Sequence, residues 1–267
     1  MVTTTRPVGT LLRDWRQQRR MSQLDLALNA DVSARHISFL ETGRAQPSRE
    51  MLLHLAEQLD VPLRERNTLL VSAGYAPVYS QSALDDPALQ AAKQAIDLVL
   101  HGHEPYPALA IDRHWNLIAA NAAIAPLLSG VSPDLLQPPI NVLRISLHPA
   151  GLAGAIVNSA GWREHVLARL QRQIDATGDP QLQALYDELR GYSVVGDDPP
   201  RSPQLHRYEQ MVLPFSLRLG DQVLSFLTTT TVFGAPLDVT LAELAIESFY
   251  PADAATAAAL RRLAGLS

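Results

Sequence analysis

SQLDLALNADVSARHISFLETGRAQP, residues 22–47, is the stretch on which the fold turns. Ser22 stands where a helix begins, and Asp25, three residues on, completes a reciprocal capping pattern. The helix runs through Leu24, Leu26, Ala27 and Ala30 and is broken by Asn29-Ala30-Asp31. Ser33 caps a second helix, in which Ile37 and Leu40, spaced i and i+3, face inward. That spacing leaves Arg35, His36 and Phe39 pointing outward near the helix start. Glu41-Thr42-Gly43 ends it, with Gly43 free to adopt a left-handed cap. Two short helices about a tight turn, the second rich in donors on its outer positions, make the helix-turn-helix arrangement that reads DNA.

The flanks extend this core. Val8 to Arg20 reads as a first helix with Leu11, Leu12 and Trp15 as its apolar stripe. Arg13, Arg19 and Arg20 suit a solvated basic face, whereas Arg16 is placed to reach back to Glu41 and tie the first helix to the reading helix. Ser48 caps a helix through Met51, Leu52, Leu55 and Leu59. Pro62 suits the first turn of a fifth, which carries Leu63, Asn67, Leu69 and Leu70 and ends near Ala73-Gly74. Residues 1–75 therefore read as a five-helix domain, small but within the range that folds alone.

The chain has 267 residues, too many for one small binding module and enough for two domains. It has no cysteine, which excludes disulfides, thiolate nucleophiles and zinc–cysteine sites. No run of 18 apolar residues is present, so no membrane partner is expected. MVTTTRPVGTLLRDW lacks the apolar core of a signal peptide, and a cytoplasmic location is the expectation. Net charge is −5, but its distribution is uneven. Residues 1–79 carry ten Arg against eight Asp and Glu, so the remainder carries −7. The basic balance lies where the reading helix lies.

Residues 76–104 read as a linker, YAPVYSQSALDDP over 75–87, and a helix over 89–100 with Ala92, Ile96, Val99 and Leu100 on one side. That helix suits a connector or a dimer contact. From 105 to 267 the pattern changes. Residues 107–111 and 115–121 form two strands about the turn Asp112-Arg113-His114. A helix starts over 122–128, and 141–146 is a short segment leading to His148-Pro149. Residues 161–177 are a strong helix through Trp162, Val166, Leu170 and Ile174, followed by another over 181–190. Residues 191–207 read as a loop. Strands follow over 209–218 and 222–232, the latter rich in β-branched threonine. Residues 239–249 suit a helix by their leucine spacing and a third strand by their position, and position favours the strand. A helix closes the chain over 251–264. The back half is α+β with a largely antiparallel sheet.

Three chemical constellations fail on inspection. His101-Gly-His103-Glu104 sits beside Pro105 in a loop without a third ligand, so no metal is expected. Gly191-Tyr-Ser193-Val-Val-Gly196 misses the nucleophile elbow because its second glycine is one position late. A phosphate-binding loop is absent. No catalytic residue and no cofactor are expected, and an enzyme has no positive support.

Residues 11–60 resemble the phage-repressor-type, or Xre, helix-turn-helix regulators, through SQLDLA at 22–27, VSARHIS at 32–38 and ETGRAQPS at 41–48. Asp31 departs from the glycine usual in that family, although Asp tolerates the left-handed conformation better than most residues. The resemblance implies double-stranded DNA as partner and a homodimer as the binding unit. It places Gln23 on the DNA backbone, Ala34 and Arg35 at the start of the reading helix and Phe39 one turn on in base-facing positions, and His36 and Arg44 on phosphates, with Ser33 among the DNA-binding residues; Phe39 could instead pack against a thymine methyl or a neighbouring helix. Arg35 is the best base reader, since its fork fits guanine O6 and N7. A solvated surface arginine is the plainer alternative for Arg35 and Arg44.

Residues 105–265 are similar to the PAS-like sensor domain of MmyB-like regulators, through YPALAIDRHWNLIAANAAIAPLL at 106–128, the Asn141/Arg144 pair, the Trp162 helix and SFYPAD at 248–253. That resemblance implies a small apolar or fatty-acid-like ligand. Trp115, Asn121, Asn141, Arg144, His148 and Trp162 are its pocket candidates, with Arg144 suited to a carboxylate. The alternative places both tryptophans in the core and Arg144 in a structural ion pair. The function expected is a DNA-binding transcription regulator sensing such a ligand; the competing reading makes the back half a protein-interaction or dimerisation module.

Overall fold

Serines set the pace of the helical region. In the computed structural model, which describes residues 6–83, 86–193, 214–234 and 238–266, Ser22, Ser33 and Ser48 each cap a helix. The five helices are α1 (Val8–Gln18), α2 (Gln23–Asn29), α3 (Ala34–Glu41), α4 (Arg49–Gln58) and α5 (Leu63–Ser72). At α2 the capping is reciprocal. Ser22 Oγ accepts the Asp25 amide at 3.1 Å, and Asp25 Oδ2 accepts the Ser22 amide at 2.8 Å. Asp31 does adopt the left-handed conformation in the turn between α2 and α3, with φ of 53°, and Gly43 does so after α3, with φ of 72°.

The five helices enclose one core. Leu12 and Trp15 of α1, Leu26 of α2, Ile37 and Leu40 of α3, Leu52 and Leu55 of α4 and Leu69 of α5 are all buried together. Burial of each large side chain contributes about 1.5–3 kcal/mol before entropy is charged against it. Leu24 of α2 lies outside this core and is 58% exposed. Asn67 ties down the chain after α5: its side chain accepts the Val78 and Tyr79 amides and donates to the Tyr79 carbonyl.

The chain divides into two compact units. One contains Met1–Ala83 together with Ala235–Ala242, and the other contains Leu84–Gly234 and Glu243–Ser267. The returning segment of the first unit carries a one-turn helix, Val239–Ala242. Asp238 just before it accepts hydrogen bonds from the Ser80 hydroxyl and from the amide and hydroxyl of Ser82, at 2.9–3.1 Å. Thr240 donates to the Ser82 carbonyl at 2.7 Å. Residues 239–249 thus contain both elements in succession. A helical turn precedes the strand, because Asp238 caps that turn through the Thr240 amide.

The second unit is α+β. Its strands are β1 (Ala108–Ile111), β2 (Leu117–Ala120), β3 (Phe215–Leu219), β4 (Gln222–Val232) and β5 (Ala245–Pro251), in the order β2-β1-β5-β4-β3 with every pairing antiparallel. Its helices are α6 (Gln90–Gly102), α7 (Val142–Leu147), α8 (Ser159–Thr177), α9 (Pro180–Arg190) and α10 (Ala254–Leu263). The helix read over 122–128 is a 3-10 helix, Ala122–Leu128, with Pro126 inside it. Residues 141–146 are mostly α7, because the Asn141 side chain accepts the Leu143 and Arg144 amides and caps it. The loop read over 191–207, and the start of the strand read over 209–218, lie almost wholly outside the described residues.

Register decides what the sheet presents. Leu109 of β1 lies opposite Glu247 of β5, Glu247 lies opposite Thr230 of β4, and Phe249 lies opposite Thr228. Directly opposed residues share a face, so these side chains project together from one side of the sheet. Helices α7, α8 and α9 share a core with that face, through Leu143, Val166, Leu170 and Leu189 against Leu109 and Ile111.

Candidate functional site

Two places in the molecule gather unusual chemistry. The first is the outer face of α3. Arg35 and Arg44 are exposed, while His36 and Phe39 are half-buried. Two guanidinium groups lie near the Phe39 ring, with Arg35 Cζ at 5.1 Å and Arg44 Cζ at 5.9 Å from its centroid. Cation–π contacts of this kind contribute about 0.5–1 kcal/mol at exposed sites. They hold two positive charges and an aromatic ring in one patch that runs from the first turn of α3 to just beyond its end. Ser33 Oγ accepts the His36 amide at 3.1 Å, so its hydroxyl is already part of the cap. Ala34 opens the helix beside it.

Behind this face stands a buried ion pair. Arg16 Nε donates to Glu41 Oε1 at 2.6 Å and Arg16 Nη2 to Oε2 at 2.9 Å. A third guanidinium hydrogen bond reaches the Met21 carbonyl at 2.6 Å. Both residues are under 10% exposed. Burial alone pushes the Glu41 carboxyl up, but hydrogen bonds from Arg16 and Gln23 hold it below the usual carboxylate range. The Arg16 guanidinium is raised by the same partner. Gln23, which the resemblance puts on the DNA backbone, donates to Glu41 Oε2 at 2.8 Å, so its amide is oriented from within.

The second place is a cavity of about 120 Å³ in the α+β unit. It is bounded by Leu109 and Phe249 of the sheet, Ile124 and Leu127 of the 3-10 helix, Leu143 of α7, and Trp162 and Val166 of α8. A cavity of that size far exceeds the room one water needs, and its apolar walls offer water few partners. Trp115 and Trp162 both line it. Trp115 sits in the β1–β2 turn with φ of 68°, a left-handed conformation costly for a bulky residue. Asp112 supports the turn by accepting the His114 and Asn116 amides at 2.8 Å.

The other four sequence candidates do not line the cavity. Asn121 joins the Ala108 amide to the Leu100 and Tyr106 carbonyls. Asn141 caps α7. Arg144 forms a bidentate pair with Glu188, at 2.8 and 2.7 Å. His148 packs edge-on against Tyr192, whose hydroxyl is pushed up to about 12 by burial and by its hydrogen bond to Glu188. His103, from the constellation set aside above, packs between Tyr106 and Tyr250.

Residues that sequence reading passed over do line the cavity. His165 and Arg169 come from α8, and Thr228 and Glu247 from the sheet. Arg169 pairs with Glu247 in both branches, at 2.6 and 3.2 Å, and its guanidinium lies over the Trp115 ring at 4.5 Å. His165 stacks on Trp162. Burial first, and then the positive charges of Arg169 and Arg172, lower its pKa. One sequence signal was available: Trp162, His165, Val166 and Arg169 share a helix face by their i, i+3, i+4 and i+7 spacing.

The chain thus joins a helix-turn-helix unit to an α+β unit that holds an apolar cavity. Residues 12–66 match the helix-turn-helix family model, and residues 92–263 match that of the MmyB-like transcription regulator ligand binding domain. The second match spans well over half of the chain, which therefore belongs to the MmyB-like family. No curated protein matches it closely enough to count as a relative. Both families are regulatory, in keeping with a DNA-binding regulator rather than an enzyme. Among the described residues, no helix is long and apolar enough to cross a membrane.

Proposed function

We propose that this chain is a sequence-specific DNA-binding regulator that acts as a homodimer and responds to a small apolar ligand held in the cavity of its α+β unit. The observation that carries the DNA-reading half is the outer face of α3, where Arg35 in its first turn, Phe39 in its last and Arg44 just beyond its end form one cationic and aromatic patch. A guanidinium there is suited to bidentate pairing with guanine, and the neighbouring Phe39 to a thymine methyl. Gln23, Ser33, His36 and Arg44 then supply backbone contacts, and Ala34 leaves room for close approach. Two copies reading two half-sites require a separation of about one helical turn of DNA, roughly 34 Å.

The homodimer rests on the helix-turn-helix resemblance, in which two copies read two half-sites. Of the side of α6 read from sequence as a connector or dimer contact, Ile96 and Leu100 are buried within the chain. The ligand half is supported by the cavity and by membership of a family named for ligand binding. Binding to a duplex selected from random sequence tests the DNA-reading half. Arg35→Ala is expected to weaken specific binding by about 1–3 kcal/mol and to relax preference at one base position. Unchanged affinity and unchanged preference would remove Arg35 from the reading role.

A further inference from the structure

The cavity's electrical balance points to the kind of ligand it takes; this inference rests on reading the cavity as the ligand site. Two of its lining residues are charged, Arg169 and Glu247, and each neutralises the other. Glu247 is 6% exposed and sits on β5, the central strand of the sheet. Thr230 completes the arrangement: its hydroxyl accepts from Arg169 Nη2 at 2.9 Å and donates to Glu247 Oε1 at 3.0 Å. Trp115 covers the guanidinium face.

A carboxylate entering such a cavity meets no uncompensated positive charge. It either lies beside Glu247 and is repelled, or takes Arg169 and strands Glu247, buried, without a partner. An ammonium group meets the mirror problem at Arg169. The tryptophan N–H groups are engaged elsewhere: Trp115 Nε1 donates to Gln173 and Trp162 Nε1 to Ser146. His165, Thr228 and Ser146 supply the remaining polar side chains of the lining, and Ser146 Oγ already accepts from Trp162 Nε1. The lowered pKa of His165 leaves its imidazole neutral near pH 7, with one donor and one acceptor. The Thr228 hydroxyl can donate and accept as well.

We propose that the cavity binds an uncharged apolar molecule carrying one hydroxyl or carbonyl head, set against His165 and Thr228, and that it rejects the matching carboxylate. The ligand is fatty-acid-like in its chain and unlike a fatty acid in its charge.

Three eight-carbon probes separate the possibilities: octan-1-ol, octanoate and octylammonium, titrated calorimetrically at pH 8 into the full chain. Tryptophan emission in a Trp15→Phe background gives a second readout, since Trp115 and Trp162 are then the only tryptophans in the chain. Octan-1-ol is expected to bind at least about tenfold more tightly than either ion. Glu247→Gln, which leaves Arg169 uncompensated, is expected to raise octanoate affinity by at least about tenfold. A wild-type chain that binds octanoate as well as octan-1-ol overturns the proposal and leaves the cavity as the ligand site. Octanoate affinity unmoved in a folded Glu247→Gln chain overturns it too. If none of the three probes binds, the ligand-site reading itself fails and the charge rule fails with it. The wild-type comparison decides alone should Glu247→Gln not fold.

Discussion

Arg16 and Glu41 are far apart in sequence and meet in a nearly dry core, where the pair is useful only while both members remain. Removing one leaves a buried charge without its partner, which typically costs about 3–5 kcal/mol. Glu41→Ala is therefore expected to lower the urea midpoint of the helical unit severely, because such a loss is a large share of a small domain's stability. The pH dependence has a definite sign. Glu41 is held below the usual carboxylate range in the folded chain, so its contribution is complete above the unfolded value of about 4.3. It is lost as pH falls through the folded value. Urea midpoints of wild type should consequently drop more steeply below pH 5 than those of Glu41→Gln, and parallel curves would remove the ion pair from the acid response. This pair was legible from the helix-turn-helix arrangement, which brings the first helix against the end of the reading helix and so sets Arg16 apart from the surface arginines around it. Arg169 and Glu247 escaped for the opposite reason. A charged residue on a long helix looks solvated, and only the register that sets Glu247 beside Leu109 shows that it faces an apolar cavity.

At the scale of elements, the helical unit was legible because its signals are local. Caps at Ser22, Ser33 and Ser48 and left-handed turns at Asp31 and Gly43 are each written within a few residues. The sheet was less legible because its pairings are remote. β5 pairs with β1 across more than half of the chain, and no local pattern specifies that β5 rather than β4 lies beside it. The same remoteness hid the succession of turn and strand over 239–251, which depends on Asp238 meeting Ser80 and Ser82. One close approach between elements is open to direct test. At Gly9 in α1 an added Cβ would stand 2.3 Å from the Leu40 carbonyl oxygen and 2.8 Å from that of Glu41. Both are backbone atoms at the end of α3 and cannot swing aside. Although alanine is the better helix former, Gly9→Ala is expected to destabilise the unit by about 1–3 kcal/mol, read as a lowered thermal midpoint. A stabilised variant would mean that α1 and α3 are not packed as closely as described.

For the whole molecule, the division into units is more informative than the order of the sequence. The segment between β4 and β5 groups with the helical unit, so the chain leaves the sheet, joins the linker at Ser80–Ser82, and returns. Thr228, Glu247 and Phe249, which line the cavity, belong to the two strands that this segment connects. A ligand that shifts those strands would, on the proposed reading, act on a segment that is hydrogen-bonded to the linker following α5. Allosteric coupling in such systems commonly amounts to about 1–3 kcal/mol, or roughly 5–150-fold in affinity. The most direct test of the proposed regulator is the affinity of the full chain for its selected duplex, at one fixed salt concentration, with and without saturating octan-1-ol. A change of at least about fivefold, in either direction, is the expected result. Equal affinity with the cavity empty and occupied would contradict the account of a ligand-responsive DNA-binding protein.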